Sequence, residues 1–196
     1  CPNRLLFSYQ NNGSILSLGL NIGGYVECDG PITPSQVLDG VWHHCAATFD
    51  GRTMRVYLDA KEIASLERPG KIDAEGEVPA FIGSSSGVGE FFQGAMDDLR
   101  IYSAALTAEE IAGLYRSGLA AIEKRSAELA RIARTLYVPG AEFSHALAGI
   151  RKKIAEEKIE LDREVAGAVV ARLRLEFPDD AEKFFTFTGA SPVEYL

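Results

Sequence analysis

The sequence predicts an all-β antiparallel sandwich followed by an α-helical hairpin, and three observations carry that prediction. Asp50-Gly51 stands between two apolar segments, residues 42–49 and 53–59. Such a pair favours a two-residue hairpin turn, because glycine tolerates the positive φ the turn requires. Short strand-like runs separated by turn residues then recur up to residue 102, the pattern of antiparallel layers and not of a parallel sheet. From Thr107 onward the apolar spacing changes to steps of three and four, the period of an α-helix.

The elements follow in order. Strands are predicted at 5–9, 15–22 and 25–28, with Asn11-Asn12-Gly13 and Gly23-Gly24 as turns. A loop with Pro31 and Pro34 leads to the strand 42–49, which is apolar or aromatic on both faces and is therefore expected in the middle of a sheet. In 53–59, Met54, Val56 and Leu58 alternate with Thr53, Arg55, Tyr57 and Asp59, which gives one buried face and one wetter face. Strands at 62–66, 80–83 and 95–102 complete eight, the last two separated by a Ser/Gly loop. Thr107-Ala108-Glu109-Glu110 is a capping box that opens a helix over 107–118, which Gly118 ends or bends. A helical hairpin over 119–177 breaks at Pro139-Gly140. Its second arm, from Phe143 to about Phe177, spans roughly 35 residues or about 50 Å. An aromatic tail, 178–196, carries Phe184, Phe185, Phe187 and Tyr195 and is expected to dock on this chain or another.

Composition bounds the function. The 196 residues carry a net charge of −8, with 46% apolar residues, enough for a real core. Residues 1–115 hold 7 Lys/Arg against 15 Asp/Glu and residues 116–196 hold 13 against 13, so no basic footprint for nucleic acid exists in either part. No apolar run reaches the roughly 18 residues of a membrane span, and no signal peptide opens the chain. The start at Cys1 reads as a piece of something longer. Three cysteines, Cys1, Cys28 and Cys45, allow at most one internal disulfide, with Cys28 to Cys45 as the candidate pair. The charge runs 151–153 and 156–157 read as a solvated helix face.

Residues 40–115 resemble the laminin-G-like domains. The segments concerned are Trp42-His43-His44-Cys45-Ala46-Ala47-Thr48-Phe49-Asp50-Gly51, Val56-Tyr57-Leu58-Asp59 and Phe81-Ile82-Gly83. To these add Phe92-Gln93-Gly94-Ala95-Met96-Asp97-Asp98-Leu99-Arg100-Ile101-Tyr102-Ser103 and Ala105-Leu106-Thr107. The likeness extends to the concanavalin-A-like lectins and the pentraxins and covers about 115 residues; it implies a jelly-roll sandwich over 1–106. The resemblance further implies that the opening strands lie upstream of Cys1 or are supplied by another chain, beside 95–102. The Cys45 strand resembles a pentraxin pattern whose disulfide partner lies in one of those strands, which sets Cys45 against an internal bridge.

Calcium is the cofactor the resemblance suggests, held through loop carboxylates and carbonyls. At the pentraxin positions, however, this chain has Ser84, Ser85, Ser86 and Gly87, and Asn12-Gly13, so at most one structural Ca2+ near Asp97, Asp98 or Asp29 is expected. His43 and His44 point to opposite strand faces and cannot share a metal, and His145 is remote in the helical part. No motif for nucleophilic, phosphate or zinc chemistry occurs. Glu27 and Glu62 read as strand-end residues and not as the paired carboxylates of a glycosidase. The reading is a non-catalytic recognition or adhesion module of a larger extracytoplasmic, secreted or surface protein, with a glycan or protein ligand. Ligand contacts are expected on the rim loops 29–36, 69–77 and 84–90, at Asp29, Ser84, Ser85, Ser86 and Glu90. Trp42, Tyr25 and Tyr57 are suited to stack on sugars, with Trp42 read as core. A second reading is assembly, homo- or hetero-oligomeric, through Ile150, Ile154, Leu161, Val165 and Val169; a third is an accessory domain of a larger enzyme.

Overall fold

The computed structural model describes residues 5–73, 79–84, 87–136, 142–188 and 192–196. The chain divides into two compact units, Cys1–Gly118 and Leu119–Leu196.

The first unit contains two three-stranded antiparallel sheets, in the orders β1-β2-β3 and β4-β5-β6. The strands are β1 (Leu5–Gln10), β2 (Ile15–Asn21), β3 (Tyr25–Pro31), β4 (Cys45–Phe49), β5 (Thr53–Leu58) and β6 (Lys61–Glu67). Strands β2 and β3 lie against β5 and β6. Leu16, Leu18, Leu20, Ile22, Cys28 and Ile32 meet Met54, Val56 and Leu58 there, all buried. Fully burying one such aliphatic side chain stabilises by about 1.5–3 kcal/mol, so this layer holds the sheets together.

Several expectations change here. The Asp50-Gly51 turn forms with Gly51 at φ 88°, but Phe49 pairs with Met54, so the loop is wider than two residues. The Asp50 side chain closes it, accepting from the amides of Arg52 at 2.8 Å and Thr53 at 2.7 Å. Strand β4 is an edge strand and not the middle of its sheet, and Trp42 lies before it, 48% exposed, so it is not core. The predicted strands 80–83 and 95–102 do not form. Their apolar side chains stay in solvent, with Ile82 71% and Ile101 91% exposed. A strand needs a ladder partner for its amides and carbonyls, and no described strand pairs with either segment.

α1 (Ala108–Leu136) begins at the expected capping box: the Thr107 amide donates to Glu110 Oε2 at 2.7 Å and the Glu110 amide to Thr107 Oγ1 at 3.2 Å. It runs through Gly118 without a break. A single glycine inside a helix costs only about 1 kcal/mol, which the surrounding turns offset.

In the second unit the single long arm expected from Phe143 to Phe177 is two helices, α2 (Phe143–Glu156) and α3 (Arg163–Glu176). The chain turns at Lys158, with φ 50°, and restarts at Asp162, whose Oδ1 accepts from the Val165 amide at 2.8 Å. α4 (Pro178–Thr188) and α5 (Pro192–Tyr195) follow. The core joins Ala133 and Leu136 of α1, Ala146, Leu147 and Ile150 of α2, Val169, Val170 and Leu173 of α3, and Ala181 and Phe185 of α4. The aromatic tail docks within this unit: Phe143 makes edge contacts with Phe177, Phe184 and Phe185 at ring separations of 5.9, 5.5 and 6.4 Å. The Pro139-Gly140 break lies outside the described residues.

Candidate functional site

Register places the side chains of the first sheet. In an antiparallel ladder directly opposed residues share a face, and neighbours along a strand alternate. Leu18 faces Phe7 and Cys28, and these belong to the core side. Ser17 faces Ser8 and Asp29, and Gly19 faces Leu6 and Glu27, so these look outward. Gln10, Asn21 and Tyr25 fall on the same outward face.

That face is a connected polar surface. Ser17 Oγ donates to Asp29 Oδ1 at 2.6 Å. Gln10 Nε2 donates to Glu27 Oε1 at 3.0 Å, and the Tyr25 hydroxyl donates to the same oxygen at 2.8 Å. Ser17 is completely buried and Glu27 partly so, while Asp29 is exposed and Tyr25 is 37% exposed. The Tyr25 ring lies across the sheet over Gly19, where an added Cβ would come within 2.2 Å of the tyrosine oxygen. Burial, then the Glu27 contact, pushes the Tyr25 hydroxyl up to about 12, so it remains a donor at neutral pH. Glu27 and Asp29 are two residues apart on one strand, about 6–7 Å. Among the described residues of the ladder, no Lys or Arg belongs to this face. Its carboxylates accept hydrogen bonds, its amides both donate and accept, and its tyrosine offers a flat apolar plate.

Sequence reading set Glu27 aside as a strand-end residue because it ended the third strand at Cys28, one residue later. β3 continues to Pro31, which puts Glu27 mid-strand and brings Asp29 onto the ladder beside it, and the alternation Tyr25, Glu27, Asp29 was the signal that could have shown it. Of the expected loop residues, Asp29 belongs to this face. Ser84 lies elsewhere, its Oγ accepting from the Gly87 amide at 2.8 Å, and Glu90 is exposed with φ 51°. Ser85 and Ser86 lie outside the described residues, as does part of the loop 69–77.

The carboxylates expected near a calcium ion are engaged with protein partners in this structure. Both Asp98 oxygens hold the Arg100 guanidinium, at 2.7 Å each, and Asp97 Oδ1 accepts from the Asp98 amide at 2.8 Å. Asp29 is engaged with Ser17, and no group of three or more His, Cys, Asp or Glu capable of holding a metal occurs among the described residues. The Cys28 to Cys45 disulfide is corrected too: both are free thiols. Cys45 Sγ lies 2.8 Å from the Tyr9 hydroxyl, and Cys28 Sγ faces the Met54 carbonyl. Burial pushes both thiols up. The assembly residues are corrected as well. Ile150, Val165 and Val169 are 2%, 3% and 1% exposed, Ile154 packs against the same interior, and Leu161 sits half-buried in the α2 to α3 connection. Ile150, Val165 and Val169, with Ile154 beside them, therefore serve the interior of their own unit.

Two packed antiparallel sheets with a polar outward face, and no metal cluster among the described residues, fit a lectin-like β domain, followed here by helices. The chain belongs to the laminin G family of the concanavalin A-like lectin/glucanases superfamily, whose model matches residues 2–112, more than half of the chain. A comparison with curated proteins gives no match. Among solved structures, a crystal structure of an S-layer domain-containing protein from Clostridium thermocellum is similar at 20% identity with a TM-score of 0.31. The match covers 52% of this chain and 51% of that one. A likeness this remote carries no argument about function. No described helix is long and apolar enough to cross a membrane.

Proposed function

We propose that the β unit is a non-catalytic recognition module that binds a glycan on the outward face of β1, β2 and β3. The single observation that carries this reading is the hydrogen-bonded set Gln10, Ser17, Tyr25, Glu27 and Asp29. Its groups are positioned before any ligand arrives, which limits the ordering cost of binding. Carboxylates and amides match sugar hydroxyls, and the tyrosine plate matches the apolar face of a pyranose. The described side chains of this face are neutral or acidic, which favours a neutral glycan over an anionic one. Membership of a lectin-containing superfamily supports the class of function and an extracytoplasmic setting, and the reading includes completion of the jelly roll by a strand paired to 95–102.

A glycan array probed with the full chain, with and without calcium, tests the proposal. The expected result is retention of neutral oligosaccharides, unchanged by chelator. Tyr25→Ala and Glu27→Gln should each weaken binding by about 10- to 100-fold, since a hydrogen bond to a charged group contributes about 1.5–3 kcal/mol. Silence towards neutral glycans would remove the reading, and capture of a protein ligand by the same face would redirect it.

A further inference from the structure

Between the two sheets the chain makes a short hoop, Asp39 to His43, that carries exposed apolar side chains: Val41 is 63% and Trp42 48% exposed, with Leu38 beside them at 74%. His43 ties the hoop shut. Its Nε2 lies 3.0 Å from Asp39 Oδ1 and its Nδ1 lies 2.8 Å from Asp59 Oδ2. Both carboxylates are themselves anchored. Asp39 Oδ1 also accepts from the Val41 amide at 3.0 Å, and Asp59 Oδ1 accepts from the His44 amide at 2.9 Å. Asp59 stands in the β5 to β6 turn with φ 49°, its amide donating to the His44 carbonyl at 2.8 Å.

A neutral imidazole has one N–H, and its other nitrogen carries a lone pair. Set between two carboxylate oxygens, it would satisfy one and face the other lone pair to lone pair. Only the doubly protonated ring donates to both. We propose that Asp39, His43 and Asp59 form a proton-operated latch, closed while His43 is an imidazolium and released when it loses a proton, so that presentation of the apolar tip Leu38, Val41 and Trp42 depends on pH.

The surrounding charges agree. Burial pulls His43 down, but the bonds to Asp59 and Asp39 outweigh it and leave the ring above its ordinary value. The Val41 amide and then His43 hold the Asp39 carboxyl below the usual range. The other titratable groups near Asp59 are Tyr9 and Cys45, while His44 senses Asp59, Asp98 and Arg100. Arg100 is committed to Asp98. A raised folded-state pKa gives stability that is complete below about pH 6.5, the unfolded value, and that disappears as pH rises through the folded value. The latch is therefore closed from the depressed pKa of Asp39 up to the raised pKa of His43, and open above it.

Trp42 is the sole tryptophan of the chain, so its fluorescence reports the hoop directly. Titration of the full chain from about pH 6 to about pH 9 should show a one-proton change in Trp42 emission with its midpoint above 6.5. His43→Gln should abolish the change, and Asp39→Asn should move the midpoint down by about one pH unit. Nitrogen NMR of the wild-type His43 ring should show both nitrogens protonated below the emission midpoint and one proton lost through it. Flat emission, a transition that survives His43→Gln, or a ring that is mostly singly protonated already at about pH 6.5 overturns the latch, the last regardless of whether any variant folds.

Discussion

Single residues in this chain are governed by what lies opposite them. His43 and His44 are neighbours with the same intrinsic acidity, yet two carboxylates leave the first raised, while burial lowers the second. Gly30 shows the same dependence in packing. A Cβ there would come within 2.4 Å of Ile63 Cδ1 and 3.2 Å of the Leu16 carbonyl oxygen. Gly30→Ala should therefore destabilise the β unit by about 1–3 kcal/mol, read from urea unfolding. The two described cysteines provide a second check at this scale. With both thiols pushed up by burial, Cys28 and Cys45 should resist alkylation at neutral pH in the native chain and react at once in denaturant. Rapid native labelling of Cys28 would contradict its place between the sheets.

At the scale of elements, helix starts declared themselves through local chemistry, and strand partners did not. Thr107 and Glu110 cap α1 as their spacing predicts, because a capping box is complete within four residues. The break between α2 and α3 was hidden, since the step from Ile154 to Leu161 keeps a helical phase across it and neither Gly nor Pro marks it. The legible signal was Asp162 three residues before Val165, an N-cap taken for part of a continuous helix. The Val165 amide bond is the main influence holding the Asp162 carboxyl below its usual range. Its stabilisation of α3 is thus present above the unfolded pKa and disappears as pH falls through the depressed value. Asp162→Ala should lower the melting temperature at neutral pH, and the difference from wild type should vanish in strong acid. Gly118→Ala should act in the opposite sense, adding about 0.5–1 kcal/mol to α1 stability, as nothing lies within 4 Å of the added Cβ.

For strands, alternation of apolar residues located β1, β2, β5 and β6 to within a residue or two. It also proposed 80–83 and 95–102, which stay out of both sheets. A strand is specified by its neighbour as much as by its own sequence, and the neighbour is not written locally. The same limit explains Glu27 and Asp29. Their shared face emerges only when β2 supplies Ser17 and β1 supplies Gln10 across the ladder.

At the scale of the molecule, two units with different physics share one chain. The first owes its core to aliphatic side chains between two small sheets, and the second to helices and an aromatic cluster around Phe143. Leu173→Ala, at a site with 0% exposure in the helical core, should cost about 2–5 kcal/mol in the helical transition while leaving sugar binding intact. Loss of binding in that variant would tie recognition to the helices.

The most direct measurement is an amide NMR titration of the full chain with the neutral oligosaccharide that binds best on the array. Binding at the outward face predicts shifts concentrated at Ser8, Gln10, Ser17, Asn21, Tyr25, Glu27 and Asp29, which disappear in Glu27→Gln. Shifts confined to the loop around Ser84 and Glu90, or shifts that survive that substitution unchanged, would contradict it.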